Sequence, residues 1–257
     1  MKKIFTTIFA LCAVIAASAQ ENTTPGLIWS SLHGLEYEVY AGANIGGASP
    51  IPLPAEIRRI DSYSPDLNLL IGTTVTKWLT PDNRWGIAVG ARFEEQGMET
   101  RATVKNYGME IIQDGSRVSG HWTGKVQTKY SSALLTFPLT AVFRLNDRFK
   151  FNAGPYIAIR MKGTFDGYVY DGYLREGDPT GNKVTFEGDS QASYDFSSEL
   201  RRLHFGAQAG ASWRAFSHLS VNANLTWGFN NIFKSSFKTV NFNLYPIYLN
   251  IGFGYDF

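Results

Sequence analysis

The chain has 257 residues, of which 18% are charged and 14% aromatic, with 24 Lys and Arg against 22 Asp and Glu, 25 glycines and one cysteine. Without Lys2 and Lys3, which fall in an N-terminal leader, the balance is 22 basic to 22 acidic. That neutrality gives no basic footprint for a nucleic-acid partner. The single cysteine, Cys12, lies in the same leader, which excludes a disulfide framework and thiol chemistry from the remainder.

Met1-Lys2-Lys3, an apolar run from Ile4 to Ala16 and Ala17-Ser18-Ala19 predict a secretory signal peptide over residues 1–19, cleaved after Ala19. The run is too short for a spanning helix, which needs about 20 apolar residues. Residues 20–34, with Pro25, Gly26 and Trp29, have no clear period and read as a periplasmic leader. From residue 35 to residue 257 the chain alternates.

Successive side chains of a strand point to opposite faces, so a period of two divides a strand into two surfaces. The first strand sets Leu35, Tyr37, Val39, Ala41, Ala43 and Ile45 against Glu36, Glu38, Tyr40, Gly42 and Asn44. Residues 46–65, rich in Pro and Gly, read as a long loop. The second strand, from Leu67 to Thr76, alternates least cleanly and ends before the turn Thr80-Pro81-Asp82-Asn83. The third puts Trp85, Ile87, Val89, Ala91 and Phe93 against Gly86, Ala88, Gly90, Arg92 and Glu94. Residues 97–128 are polar, with short alternating pieces that would carry the hairpin past the membrane to a loop at its tip.

The fourth strand, Ser132 to Arg144, and the fifth, Phe149 to Lys162, flank the turn Leu145-Asn146-Asp147-Arg148. Each holds a proline, Pro138 and Pro155, which calls for a bulge or a missing ladder bond. Residues 163–198 form the longest connection, with room for an extended hairpin of its own. The sixth strand, Leu203 to Ala215, and the seventh, Leu219 to Asn230, meet at Ser217-His218, and residues 231–242 make a medium loop. The last strand carries Tyr245, Ile247, Leu249, Ile251, Phe253, Tyr255 and Phe257 on one face, with Asn250, Gly252, Gly254 and Asp256 on the other.

Large apolar faces either fill a soluble barrel or meet lipid around a polar lumen. Three features favour lipid. Connections are long after the odd strands and short after the even ones, the asymmetry of an outer-membrane barrel whose termini return to the periplasm. The polar face is rich in glycine (Gly42, Gly86, Gly206, Gly252 and Gly254 among them), as suits a lumen only wide enough for side chains. Aromatic residues gather at strand ends: Trp85, Phe143, Phe149, Trp213, Tyr255 and Phe257 at the short-turn end, Trp227, Phe229 and Tyr245 at the other. Such belts anchor a protein at the two headgroup levels. The expected fold is an all-β, eight-stranded antiparallel up-and-down transmembrane β-barrel with long extracellular loops and short periplasmic turns.

On the inward face, Glu36, Glu38, Arg144, Lys150, Arg214 and Asp256 reach the periplasmic end. A narrow lumen cannot leave charges unpaired, so these six are expected to form a salt-bridged plug. Arg92, Glu94, Arg160, Lys162 and His204 line the outer mouth in the same reading. None of His33, His121, His204 and His218 sits with a serine and a carboxylate in a catalytic spacing, and Asp178, Asn182, Glu187 and Asp189 match no EF-hand pattern. No enzyme activity, cofactor or metal is expected.

Thr136-Phe137-Pro138-Leu139-Thr140, followed by Leu145 to Phe149 and by Asn152-Ala153-Gly154-Pro155-Tyr156, resembles a stretch of the PorT-like outer-membrane β-barrel family of Bacteroidetes. Leu225-Thr226-Trp227-Gly228-Phe229 and the aromatic C-terminus are similar to it as well, and both prolines occur in its pattern. The resemblance spans roughly residues 35–257 but its motifs are strand and turn chemistry, without catalytic content. It implies an outer-membrane barrel; the founding member is associated with protein secretion, and Phe257 would belong to the signal read by the barrel-insertion machinery. The partners expected are outer-membrane lipid, that machinery through the last strand, and envelope or secretion proteins through the loops. The leading function is structural or interactive, acting through the extracellular loops, with a secretion-associated component or a small-solute or lipid-handling channel as alternatives.

Overall fold

The computed structural model describes residues 34–113 and 116–257. The expected signal peptide, and the leader up to His33, lie outside the described residues. Ten strands follow in order: β1 (Leu35–Pro50), β2 (Ile57–Pro65), β3 (Asn68–Trp78), β4 (Trp85–Gln113), β5 (Ser116–Arg144), β6 (Phe149–Glu176), β7 (Lys183–Asp195), β8 (Leu203–Arg214), β9 (Leu219–Gly228) and β10 (Leu244–Asp256). A short 3-10 turn, Ser197–Glu199, precedes β8.

Eight of these strands close a ring in the order β1, β3, β4, β5, β6, β8, β9, β10, with β10 returning to β1. The closing ladder is antiparallel and runs from Glu38↔Asp256 to Pro50↔Leu244. Gly42 pairs with Gly252 in it, and a Cβ on either would run into the opposite backbone. Across the ring the outward set is exposed and apolar, as with Val39, Ile87, Leu139, Phe151, Phe205, Leu225 and Phe253, while the inward set is buried and largely polar. A closed antiparallel ring satisfies every backbone group without an edge, which is what lipid demands. No helix among the described residues is long and apolar enough to cross a membrane, which says nothing against crossing with strands.

The two prolines are accommodated by lapses in the ladder without slippage. Pairing between β4 and β5 runs to Val89↔Leu139 and resumes in the same register at Arg92↔Thr136, so Pro138 lies in the gap. Pairing between β5 and β6 likewise skips from Pro138↔Tyr156 to Ala141↔Ala153, and Pro155 lies in that gap. A residue without an N–H costs nothing where no bond is asked of it.

The larger departure from the sequence reading is at the outer end. Residues 46–65 are not one loop, since β1 continues to Pro50 and β2 occupies Ile57–Pro65. Residues 97–113 and 116–128 are the outer parts of the paired strands β4 and β5, each 29 residues long. A membrane crossing takes about 9–11 strand residues, so most of each strand stands outside the bilayer. The outer half of β6 pairs with β7 from Asp166↔Asp195 to Arg175↔Lys183, and β7 meets the tip of β4 at Ile112↔Ser193. The sheet thus rolls up on itself into a cap.

The cap inverts the chemistry of the ring. On β4 the inward residues remain the even ones, but they change from Arg92 and Glu94 to Met98, Ala102 and Val104. A register shift after Val104 then turns Met109 and Ile111 inward. Trp122, Val126 and Tyr130 from β5, Phe165, Val169 and Leu174 from β6, Tyr194 from β7 and Phe233 complete one apolar core. In water the apolar face goes inside, in lipid it goes outside, and one strand does both in sequence. Burial pushes the Tyr130 phenol up to about 12, and Tyr194, also raised by burial, donates from its hydroxyl to the Gln127 carbonyl at 3.0 Å.

One detail of the cap gives a pH prediction. Asp166 and Asp195 face each other on β6 and β7. Burial, then the Asp195 charge, raises the Asp166 carboxyl, whereas hydrogen bonds from the hydroxyl and amide of Ser197 lower Asp195. A raised folded-state value means that the stability from Asp166 is present below the ordinary carboxylate range and is lost as pH rises through the raised value. Asp166→Asn is therefore expected to steady the hairpin of β6 and β7 at pH 7, by about 0.5 kcal/mol after solvent screening, with no gain at pH 3. Amide exchange along β7 at the two pH values measures it.

Candidate functional site: a lumen closed at two levels

Every inward side chain of the ring projects into one narrow space, because the period of two leaves an inward residue no other place. Its periplasmic end holds acidic and basic groups brought in by strands that are distant in sequence. Glu36 on β1 accepts from Lys150 on β6 at 2.6 Å, pairs with Arg144 on β5, and accepts from the Trp78 indole at 3.1 Å. The Arg144 guanidinium also lies 4.0 Å from the centre of the Trp78 ring, a cation over its π face. Lys150 reaches across to Asp256 on β10 at 3.2 Å, and Arg214 on β8 approaches the other Asp256 oxygen at 3.7 Å. Five of the six charges therefore join one chain of contacts. Glu38 stands apart from it and is held by Asn222 at 2.6 Å and Ser220 at 3.1 Å on β9.

Above this cluster is a cavity of about 70 Å3, lined by Thr74, Thr76, Asn152, Ser212 and Asn224 among others. Asn152, Ser212, Asn222 and Asn224 each turn a buried oxygen with no protein partner toward this region. Polar surroundings of that size suit a few bridging waters.

Above the cavity lies a second charged level. Arg92 and Glu94, 2% and 1% exposed, sit two residues apart on β4 and pair at 3.1 Å. Glu94 also accepts from Thr136 at 2.6 Å and from Asn44 at 3.2 Å, and Arg92 donates to Gln208 at 3.4 Å. The Tyr40 hydroxyl lies beside Arg92 as well. Pair and partners together fill the bore, and beyond them the apolar core of the cap begins.

The other outer-mouth residues do not join this network. Arg160 donates to the carbonyls of Leu200 and Arg201, both at 2.9 Å, and His204 approaches the Arg201 carbonyl at 3.1 Å. Both side chains tie down the connection between β7 and β8. Lys162 is a correction: it is exposed, not in the lumen. Ala133 pairs with Lys162 while Leu134 pairs with Arg160, so an extra residue, Met161, bulges out and reverses the face of the residues after it as far as the next shift near Asp171.

The interface aromatics lie outside the bore. Trp85, Trp213, Trp227, Phe229, Tyr255 and Phe257 are exposed and Tyr245 is half-buried. Trp85 leans on Phe143 at 4.7 Å between ring centres, Trp227 meets Phe229 at 6.2 Å, and Tyr255 meets Phe257 at 4.9 Å.

The charge contacts drew Tyr40, Asn44, Trp78, Thr136 and Gln208 into the site, none of which their residue type announced. All five sit at inward positions of the alternation, Trp78 one step past the expected strand end at Thr76, so the period itself was the available signal. No cluster of three metal-ligating side chains occurs among the described residues.

No match is found among curated protein sequences. Among solved structures the chain is similar to the attachment invasion locus protein Ail of Yersinia pestis, at 13% identity over 86% of this chain and 98% of that one, with a TM-score of 0.37. It is similar to the outer membrane protease OmpT of Escherichia coli at 10% identity over 93% and 99% of the two chains, TM-score 0.37. It is also similar to the outer membrane protein OprG of Pseudomonas aeruginosa at 13% identity over 86% and 95%, TM-score 0.29. These scores carry no inference about activity. The assignment comes from the family model described as "Outer membrane protein beta-barrel domain", which matches residues 18–234 and so runs through seven of the eight ring strands. The chain belongs to the outer membrane protein β-barrel domain family.

Proposed function

We propose that this protein is a closed, non-conducting outer-membrane barrel, without enzyme activity, that carries a folded extracellular cap for contact with partners in the envelope. The observation that supports it is the double closure of the lumen. Ions would have to break the Glu36, Lys150 and Asp256 contacts, pass the buried pair of Arg92 and Glu94, and then cross the apolar core under Trp122. Each barrier alone is unfavourable to a hydrated ion. The rolled hairpins of β4, β5, β6 and β7 make a folded surface beyond the barrel ring. The signal peptide would deliver the chain to the periplasm, and the last strand, ending in Phe257, would be read there by the insertion machinery.

A secretion-associated role is the second reading. It is favoured by the resemblance of residues 136–156 to the PorT-like pattern. Under it, the partner at the cap is a secretion component, and deletion would trap cargo in the periplasm.

Purified protein in planar bilayers is expected to show no steady conductance. A large, stable current through the unmodified protein would overturn the closed reading in favour of a solute channel. Crosslinking in the native envelope from cysteines placed on the β4 and β5 hairpin would then separate the partner classes, secretion proteins or others.

A further inference from the structure

A second cavity lies in the cap, apart from the lumen, and measures about 90 Å3. Its membrane-side floor is Ala48 at the end of β1, Met98 on β4 and Leu244 at the start of β10, all buried. Its far side is closed by Tyr107 and Phe242, whose rings meet edge-on at 5.6 Å. No lining residue is charged, and the only hydroxyls come from Thr100, Thr128 and Tyr107. Ions, sugars and headgroups would lose their water there without replacement, so the lining selects hydrocarbon. An apolar cavity of roughly 150 Å3 admits a benzene-sized molecule, and this one suits the terminal few carbons of a chain.

The strand pairing decides where the cavity opens. The outer end of β1 bonds to β10, and β2 bonds to β4; among the described residues β1 and β2 share no ladder. That seam is crossed by the Tyr63 hydroxyl, which donates to the Gly46 carbonyl at 2.7 Å. Ile60 on β2 is 53% exposed, the lining residue most open to the outside. Ile51, Leu53 and Tyr63 on the same stretch of chain are exposed too, as are Arg59 and Asp61 on either side of Ile60, and Ile45, Leu67 and Leu69 belong to the lipid-facing belt. Away from the seam the rim is tied shut, with Asn241 donating to Glu56 at 3.1 Å and the Lys105 amide donating to the Glu56 carbonyl at 2.8 Å.

We propose that this cavity binds one aliphatic chain of an outer-leaflet lipid, which enters sideways through the seam between β1 and β2. A soluble fatty acid has the same chain chemistry. The membrane is the source because the seam, pinned at Gly46 by Tyr63, lies next to Ile45 of the belt that lipid already covers.

The test uses the full chain in nanodiscs made with a phospholipid that carries a diazirine at the end of one acyl chain. After photolysis, adducts mapped by mass spectrometry are expected on Met98, Val104 and Val126 as well as on belt residues such as Phe93 and Leu139. Ala102→Phe, which fills the cavity, is expected to cut the cavity adducts at least tenfold and leave the belt adducts unchanged. Ala48→Leu, from another wall, does the same if the first variant loses its heat-modifiable migration. Adducts confined to the belt in the unmodified protein would overturn the proposal whatever the variants do, as would undiminished cavity adducts in either folded variant. Cavity labelling by a diazirine fatty acid, but not by the phospholipid, would overturn the membrane source.

Discussion

Glu94→Ala is expected to destabilise the barrel by about 3–5 kcal/mol, because it strands the Arg92 charge inside the bore. Arg92 is 2% exposed, and its remaining partners, Gln208 and Tyr40, are neutral. Thr136 loses its acceptor at the same time, so one more buried donor goes unmet, while Asn44 keeps the Glu95 carbonyl. Replacing both charges, Arg92→Met with Glu94→Leu, is expected to recover most of the loss, since a buried pair exchanged for packed hydrocarbon is often neutral or better. Urea unfolding in lipid vesicles, followed by tryptophan fluorescence, measures both. If the single substitution cost under about 1 kcal/mol, water would have to reach the pair and the upper closure would not exist. The double variant separates charge from shape: recovery assigns the loss to the stranded cation, while no recovery assigns it to specific geometry.

The second large effect belongs to the cap. Trp122 is fully buried, meets Phe186 edge-on at 5.6 Å, and donates its indole N–H to the Lys125 carbonyl at 3.2 Å. Trp122→Ala removes the largest fully buried side chain of that core, and about 3–5 kcal/mol is expected to go with it. The loss should stay local. The ring is closed by its own ladders from β1 to β10 and has no need of the cap for backbone satisfaction. Protease added from outside is therefore expected to cut the variant between residues 97 and 128, where the unmodified protein resists, while the remaining barrel keeps its heat-modifiable migration. Loss of that migration in the variant would show that cap and ring fold as one cooperative unit.

The ring was legible because its signal repeats. Val39, Ile87, Leu139, Phe151 and Phe253 each sit in a run of alternation, and eight such runs with sorted loop lengths admit few arrangements. Turn chemistry placed the short connections correctly at residues 80–83, 145–148 and around Ser217-His218. The cap was less legible, although residues 97–128 and 163–198 were expected to hold extended hairpins. Its strands carry Met98, Val104, Trp122 and Val126 among charges and glycines, and register shifts after Val104 and at Thr123/Lys125 break the period that would have joined them. The useful sign was a change of parity along one strand, from apolar odd positions up to Phe93 to apolar even positions from Met98 to Val104. Lys162 was misplaced for the same physical reason, a single bulge at Met161.

By itself the sequence determined which side chains share a face and that the apolar face meets lipid, because a strand's period of two is a local property of its backbone. It also put Glu36, Arg144, Lys150, Arg214 and Asp256 on the inward face, but wrongly added Lys162. Only the tertiary structure decided which of those charges meet. Glu36 found Arg144 and Lys150, Asp256 found Lys150 and Arg214, and Glu38 found Asn222 and Ser220 instead of a cation. Partner choice depends on the stagger of eight strands around a closed ring, a quantity no single strand carries. The hydrophobic cap was decided there too, since its core exists only where the outer hairpins roll together.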